Sequence, residues 1–256
     1  MENINSTVTK EMIVEGLKNL GLKTGDIVMV HSSLKSFGYV VGGVDTIIDA
    51  LLETVGEQGT VVVPTLTGSD KLSPENPPVF DVKNTPCWTG KIPEVFRKRK
   101  EAIRSLHPTH SVAAIGALAK FLTENHERCI TPCGKGSPYY KLAQMKGYVL
   151  LLGVDLRCCT LLHTVEELAD LPYHMQKDWV FAKVIDERGK EQEVKVKIHL
   201  YGYERDFLKM EPLLLKEEAM KLGTIGKSSI RLIKADKLIK IALKQIKKDP
   251  NFLLKT

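Results

Sequence analysis

The sequence predicts an α/β protein in which strands and helices alternate along the chain and pack in layers. Three short apolar runs are typical of buried strands: DIVMVH (26–31), GTVVVPT (59–65) and GYVLLLGV (147–154). Longer amphipathic segments, such as GGVDTIIDALLETVG (42–56), lie between them and predict helices. This alternation is typical of a sheet that is covered by helices.

The ends of several elements are also marked in the sequence. Within TVTKEMIVEGLKNLGL (7–22), a threonine is a candidate helix cap and Gly21 ends the helix. After Pro172 the pattern changes to two alternating runs around the turn ERGKE (187–191), which predicts a β-hairpin. We therefore expect a single domain over residues 1–256, with residues 172–230 as a candidate β-rich subdomain within it.

Composition and charge argue against several classes of protein. No apolar run approaches the ~20 residues of a membrane span, and no signal-like segment opens the chain. Much of the net charge of +6 lies in residues 96–104 and 234–248, without the interleaved aromatic residues of a nucleic-acid binder. Five cysteines without paired spacing favour reduced thiols. We expect a cytoplasmic protein that binds a small molecule, and neither a membrane nor a nucleic acid.

The segment VHSSLKSFGYVVGG (30–43) leaves a buried strand and enters a helix. The chain lacks the glycine-rich motifs of common nucleotide-binding folds, so this segment has to be judged by its own residues. Ser32, Ser33 and Lys35, with open backbone N–H groups beside a helix N-terminus, suit a phosphate or a thioester carbonyl. Serines that only cap and turn the chain explain the same pattern equally well.

The segment RSLHPTHS (104–111) contains two histidines three residues apart. Pro108 disfavours a helix between them, and no carboxylate or cysteine lies at the usual spacing, so a metal site is disfavoured. A loop in which Arg104, Ser105 and one histidine face a ligand fits the spacing as well as a purely structural loop does. The Pro-rich stretch from Gly68 to Trp88 is long for a passive connection, and we expect a functional loop there.

The segment CCTLLHTVEELAD (158–170) fits three kinds of site. On a helix, His163 and Glu166 would share one face, as a general base and its carboxylate partner do. Adjacent cysteines chelate a single zinc ion poorly, and a nucleophilic cysteine would need a distant activating base. The spacing alone favours a simple surface pair of His163 and Glu166 over a catalytic one.

Four segments occur in one order that resembles the aminoglycoside N3-acetyltransferase family, whose members use acetyl-CoA. The resemblance covers most of the chain. The segments are residues 30–67, residues 90–116, residues 134–154 with TLLHTVEE (160–167), and the closing segment LGTIGKSSIRLIKADKLIKIA (222–242).

The resemblance implies a mixed-sheet α/β core, distinct from the GNAT acetyltransferases, with a smaller β-rich C-terminal part. It also implies direct acetyl transfer from acetyl-CoA to an amine, without an acyl-enzyme, and we expect no metal. His163 matches the family's catalytic histidine, and Glu166 matches the carboxylate beside it. The residues that match the CoA-facing segments are Ser32, Ser33, Lys35, Arg104, Ser105, His107 and Ser111.

The chain departs from the family pattern at DLRCCTLL (155–162), where members carry small polar residues before the histidine motif. The Gly68–Trp88 loop is also shorter than the insert of many members near the acceptor. Cationic aminoglycosides need a carboxylate-lined site. The candidate carboxylates are Asp70, Glu75, Asp81, Glu167 and Asp170.

We therefore expect an acetyl-CoA-dependent enzyme that acetylates a primary amine, the 3-amino group of 2-deoxystreptamine aminoglycosides. Acylation of a different metabolite amine and a catalytically idle binding protein are the alternatives, and a metal-dependent hydrolase ranks after them. A monomer and a homodimer are both consistent with the sequence.

Overall fold

The computed structural model describes residues 7–255, which form an α/β sandwich in three layers. The strands are β1 (Thr7–Val8), β2 (Ile27–Ser32), β3 (Tyr39–Val40), β4 (Thr60–Pro64), β5 (Val79–Asp81), β6 (Ile103–Arg104), β7 (Val112–Gly116), β8 (Tyr148–Leu152), β9 (Val180–Ile185), β10 (Glu191–Val196), β11 (Met220–Ile225) and β12 (Ser228–Lys234). The α-helices are α1 (Lys10–Leu20), α2 (Gly43–Val55), α3 (Lys91–Phe96), α4 (Ala119–Thr123), α5 (Pro138–Gln144), α6 (Leu161–Leu168), α7 (Met210–Lys216) and α8 (Ala235–Ile246).

The central sheet has seven strands in the order β11-β12-β8-β2-β4-β7-β6. Its middle is parallel, because β2 pairs in parallel with both β8 and β4. Antiparallel pairs flank this middle, with β12 on β8 and β7 on β4. The expectation of a mixed-sheet α/β core is therefore confirmed.

Helices cover both faces of this sheet because its central strands are apolar on both faces. The helices α1, α2 and α3 pack on one face, where Val28 and Leu150 point. The helices α4 to α8 pack on the opposite face, where Met29 and Leu151 point. Each face therefore has its own hydrophobic core, and the sheet separates the two.

The two central parallel strands send their chains to opposite faces of the sheet. From β2 the chain continues to α2 on one face, and from β8 it continues to α6 on the other. Neighbouring strands whose connections diverge in this way leave a crevice between their carboxyl ends, which is where open α/β sheets bind ligands. This crevice contains the candidate site.

The predicted element ends are mostly confirmed. The Thr9 side chain caps α1 by accepting the N–H of Met12, and Gly21 ends the helix with φ 110°. The predicted hairpin is formed by β9 and β10, and β5 joins it in a separate three-stranded sheet. The strands within residues 172–230 are thus divided between two sheets, and their status as a subdomain stays a prediction. Among residues 7–255, no helix is long and apolar enough to cross a bilayer.

The turn after β8 predicts a position where a single methyl group should be costly. Gly153 has φ 67°, and a Cβ atom there would lie 1.7 Å from the Oγ atom of Ser36. Gly189, in the β9–β10 turn, has φ 79° but open space around it. We expect Gly189→Ala to lower the free energy of unfolding by about 1–2 kcal/mol, the cost of the left-handed backbone. Gly153→Ala should cost about 1–3 kcal/mol more, because it also overpacks the turn.

Denaturant unfolding of the two variants measures this difference directly. An equal decrease in the free energy of unfolding of both variants would show that Ser36 moves aside freely. The close packing of the turn after β8 would then contribute nothing measurable to stability.

Candidate active site

The site is built around a hydrogen bond on helix α6. His163 and Glu166 lie three residues apart and therefore share one face of the helix. The Nδ1 atom of His163 lies 2.6 Å from Oε2 of Glu166. The Glu166 side chain is fully buried, whereas that of His163 is 23% exposed. An ionised carboxylate only accepts hydrogen bonds, so Nδ1 carries the proton and the Nε2 lone pair of a neutral His163 is free.

Two further cationic or ionisable groups contact Glu166. His174 places Nδ1 3.0 Å from Oε2, and Arg205 donates from Nε to Oε1 at 3.1 Å. Burial opposes ionisation of this carboxyl, but the hydrogen bonds from His163 and His174 hold the pKa of Glu166 far below its ordinary value. Glu166 is therefore a carboxylate at neutral pH.

The two histidines that share Glu166 respond to it differently. Burial lowers the pKa of His163, and the hydrogen bond to Glu166 only partly offsets that effect. Burial also works against the charged form of His174, but its contacts with Glu166 and Glu167 outweigh burial and raise its pKa. His163 is thus held as a neutral base, while His174 is biased toward the imidazolium form.

A second buried carboxylate, Glu167, lies beside the first. It accepts the backbone N–H of Cys133 at 2.9 Å and contacts Nε2 of His199 at 2.9 Å. Among residues 7–255, two sets of side chains have the composition of a metal site, His110 with Cys133 and His199, and His163 with His174 and His199. In both sets, ring nitrogens are already engaged by Glu166 or Glu167, so hydrogen bonds account for the arrangement.

Two cavities meet at His163. The first, which we call the strand-end cavity, has a volume of about 330 Å³. The second, the loop cavity, has a volume of about 300 Å³. His163, Leu66, Trp88 and Arg157 line both. The strand-end cavity also has walls from His31, Ser32, Thr89, Val154, Cys158 and Thr160. The loop cavity also has walls from Gly68, His110, His199, Tyr201, Arg205 and Phe207.

The predicted residues at the end of β2 lie at or near this site. Ser32 lines the strand-end cavity, and its buried Oγ atom has no hydrogen-bond partner among the described residues. Ser33 precedes a short 3₁₀ turn, and its carbonyl accepts the hydroxyl of Ser36 at 2.7 Å. Lys35 is exposed on that turn. Of the three predicted residues, only Ser32 forms part of the cavity wall.

The four predicted residues of the second segment, Arg104, Ser105, His107 and Ser111, are buried and line neither cavity, although His110 of the same segment lines the loop cavity. Arg104 is buried and donates to the carbonyl oxygens of Val82, Thr65 and Thr85, which fixes the loop before α3 to the sheet. Ser105 bonds to His126, and Ser111 donates to Thr65. The Nδ1 atom of His107 accepts the backbone N–H groups of Thr109 and His110. These contacts favour a scaffold function, and a role of this segment in CoA binding stays a prediction.

The candidate carboxylates are scattered. Asp70 is exposed near Tyr201, a wall residue of the loop cavity, and raises the pKa of Tyr201 together with burial, the larger cause. Asp81 accepts the N–H groups of its own turn at Lys83 and Asn84. Glu167 is buried against His199, while Glu75 and Asp170 are exposed. None of these carboxylates lines the loop cavity, but Asp70 and Glu167 each lie beside one of its wall residues, Tyr201 and His199.

The cysteines have no contact that would activate them. Cys158 lines the strand-end cavity, but burial and the charge of Asp155 raise the pKa of its thiol. Cys159 is buried, and burial raises its pKa to about 12. A thiol that resists deprotonation is a poor nucleophile. The Gly68–Trp88 loop, in contrast, does reach the site, because Trp88 lies on both cavities and donates from Nε1 to the Gly68 carbonyl at 2.9 Å.

Several residues of the site were missed by sequence reasoning. His174, His199 and Arg205 follow α6 in irregular chain and have no motif spacing that would mark them. His31 belongs to the apolar run DIVMVH, where it passes for a strand residue. The sequence offered one signal for these partners, the adjacent Glu166 and Glu167 on an otherwise apolar helix, because buried carboxylates require hydrogen-bond donors.

The fold and the site together define an α/β protein in which a partly exposed histidine, paired with a buried carboxylate, lies between two cavities at the switch point of the sheet. A model of the aminoglycoside 3-N-acetyltransferase family matches residues 29–247. The chain belongs to this family.

Curated relatives and solved structures agree with that assignment. Aminoglycoside N(3)-acetyltransferase VII of Streptomyces paromomycinus is 38% identical over 187 residues, 67% of this chain, and the match spans 65% of that protein's length. The prophage-derived acetyltransferase-like protein YokD of Bacillus subtilis is 33% identical over 92% of this chain and 91% of its own. The structure of AAC-IIIb with CoASH superposes with a TM-score of 0.81 at 29% identity, covering 95% of this chain and 97% of that one.

The contacts of His163 predict how its titration depends on Glu166. Because the carboxylate raises the pKa of His163 against the effect of burial, Glu166→Gln should lower that pKa further. Histidine ring resonances followed by NMR against pH measure the change. Glu211→Gln is the matched control, since Glu211 pairs with Arg231 instead. An unchanged or raised His163 pKa in Glu166→Gln would contradict the assigned electrostatics.

Proposed function

We propose that this protein is an acetyl-CoA-dependent N-acetyltransferase that acetylates a primary amine, the 3-amino group of 2-deoxystreptamine aminoglycosides. The observation that carries the proposal is the position of His163, whose ring lies where the two cavities adjoin. A base between two substrate cavities suits direct transfer between two bound substrates, without an acyl-enzyme. The similar structures of AAC-IIIb with CoASH and of AAC-VIa with sisomicin support both ligand classes.

The geometry of His163 and Glu166 supports general base catalysis. An amine must be unprotonated at nitrogen before it attacks a thioester carbonyl, and the free Nε2 atom of His163 accepts the proton that the amine loses. Nδ1 keeps its proton on Glu166, 2.6 Å away, and the carboxylate stabilises the imidazolium that results. When the C–S bond breaks, the CoA thiolate takes a proton back from Nε2, which regenerates the neutral base.

The two cavities differ in character, and this difference suggests which substrate each holds. The strand-end cavity lies against small and apolar groups at the carboxyl end of β2, with Ser32, Thr89 and Thr160 as its hydroxyl residues, and suits the thioester and its narrow pantetheine arm. The loop cavity carries Tyr201 and His199 from the chain after β10 and suits the acceptor. His163 reaches both from the shared wall.

A second candidate function follows from the wall of the loop cavity. None of the described residues that line the loop cavity is Asp or Glu, whereas two of them, Arg157 and Arg205, are cationic. A polycationic aminoglycoside gains little from such a wall, and Asp70 is the nearby carboxylate. This observation favours acylation of a different, less cationic metabolite amine by the same chemistry.

The proposed base is tested by release of CoA thiol from acetyl-CoA with a panel of aminoglycosides. We expect turnover by the wild type and a decrease of about 100-fold or more in kcat for His163→Ala, because general bases contribute about 10²–10⁴-fold. Glu211→Gln, which alters a carboxylate outside the site, should keep the wild-type rate. Thermal unfolding of each variant shows whether the fold is intact. Wild-type rates in a folded His163→Ala protein would show that His163 is not the base, whereas a wild type that turns over none of the amines would favour the catalytically idle alternative.

The pH dependence of kcat/KM gives a further expected outcome. The rate should rise with pH as His163 loses its proton, and the midpoint should lie below pH 6.5, since burial lowers the pKa of His163 from that value. In Glu166→Gln the midpoint should move to lower pH, together with a lower plateau. An unchanged midpoint in Glu166→Gln would contradict the assigned role of Glu166. Turnover of other amines but of no aminoglycoside would select the second candidate.

A further inference from the structure

His31, at the carboxyl end of β2, is a buried polar side chain whose Nε2 atom has no partner among the described residues. It is 8% exposed, and its Nε2 atom is enclosed and has no hydrogen-bond partner among residues 7–255. Most buried polar groups are hydrogen-bonded, because an unsatisfied one costs free energy. His31 is also part of the wall of the strand-end cavity. A missing partner at a cavity wall points to a bound ligand as the partner.

The protonation state of His31 defines what it offers such a ligand. Burial lowers the pKa of His31 to about 3, and the neighbouring His163 also disfavours its charged form. The ring is therefore neutral at physiological pH and has one N–H donor and one acceptor nitrogen. Because the His31 ring resists protonation, it is a poor general base, but its N–H group can donate a hydrogen bond.

A second unpartnered group lies next to His31. The Oγ atom of Ser32 is likewise buried without a partner, and Ser32 lines the same cavity. His163 forms another part of this wall. Two unpartnered donors and a base around one cavity are the groups that acyl transfer needs, because negative charge develops on the carbonyl oxygen while the nucleophile loses its proton.

We propose that His31 is a further catalytic residue, which donates a hydrogen bond from its neutral imidazole to the thioester carbonyl oxygen of the acyl-CoA. The inference rests on the proposed acetyl transfer. The amine nitrogen forms a bond to the carbonyl carbon and loses a proton to Nε2 of His163, while the π electron pair moves onto oxygen, where His31 stabilises it. The pair then returns, the C–S bond breaks, and the thiolate receives its proton from His163. His31 keeps its proton throughout.

The test compares His31→Leu, which removes both ring nitrogens at similar volume, with His31→Gln, which retains a donor. We expect His31→Leu to lower kcat by about 100-fold, the typical effect of one oxyanion donor, with KM for acetyl-CoA nearly unchanged. His31→Gln should keep a larger part of the rate. The melting temperature of His31→Leu should equal or exceed that of the wild type, because an unsatisfied polar group is removed. A purely structural histidine would lower it instead.

A second readout requires binding but not turnover. The infrared carbonyl stretch of bound [¹³C]acetyl-CoA should lie lower in the wild type than in His31→Leu, since a hydrogen bond weakens the C=O bond. His126→Leu is the control, because His126 is buried and bonded to Ser105 and the Pro132 carbonyl, away from both cavities. That variant should lose melting temperature and leave the carbonyl band unmoved.

The possible outcomes separate the inference from the proposed function. Wild-type kcat in His31→Leu, or an unmoved carbonyl band, overturns the role of His31 even when acetyl transfer is established. A shifted band supports it even where no acceptor amine among those tested is turned over. If acetyl-CoA does not bind the wild type, the inference and the proposed function both fall.

Discussion

The buried carboxylate of Glu166 is the group on which the rest of the site depends. Removing an ionised carboxylate from water costs several kcal/mol, and only well-placed hydrogen bonds offset that cost. The donors come from three places in the chain, His163 on α6, His174 in the turn after it, and Arg205 beyond the β9–β10 hairpin. Satisfying this one charge therefore fixes the position of two loops relative to the helix. The base is oriented as a consequence.

The neighbouring histidines extend this arrangement through the interior. His199 contacts Glu167 and packs against His110 and His174 at ring distances of 4.3 and 4.2 Å. Burial keeps the pKa of His110 and His199 well below the ordinary value, whereas the two carboxylates raise that of His174. The rings of the cluster therefore differ in protonation state. His174 is biased toward the charged form, and His163, the candidate base, is neutral.

The location of the site follows from the connectivity of the sheet. The crevice exists because β2 and β8 are adjacent and parallel while their following helices lie on opposite faces. Two buried polar atoms at this edge, Nε2 of His31 and Oγ of Ser32, have no hydrogen-bond partner among the described residues, which lowers the stability of the fold. The proposed contact of His31 with a ligand would offset that loss, in line with the common relation between stability and activity.

The sequence by itself determined the alternation of strands and helices, the cap and end of α1, the β9–β10 hairpin and the pairing of His163 with Glu166. Each of these depends on residues within a few positions of one another, so periodicity and spacing are sufficient. Only the tertiary structure showed that His31, His174, His199 and Arg205 lie around His163, and that Arg104 and Ser105 are buried and hydrogen-bonded within the interior. Those roles depend on which distant segment supplies a partner to a buried charge or leaves a polar atom without one. No local pattern encodes that outcome.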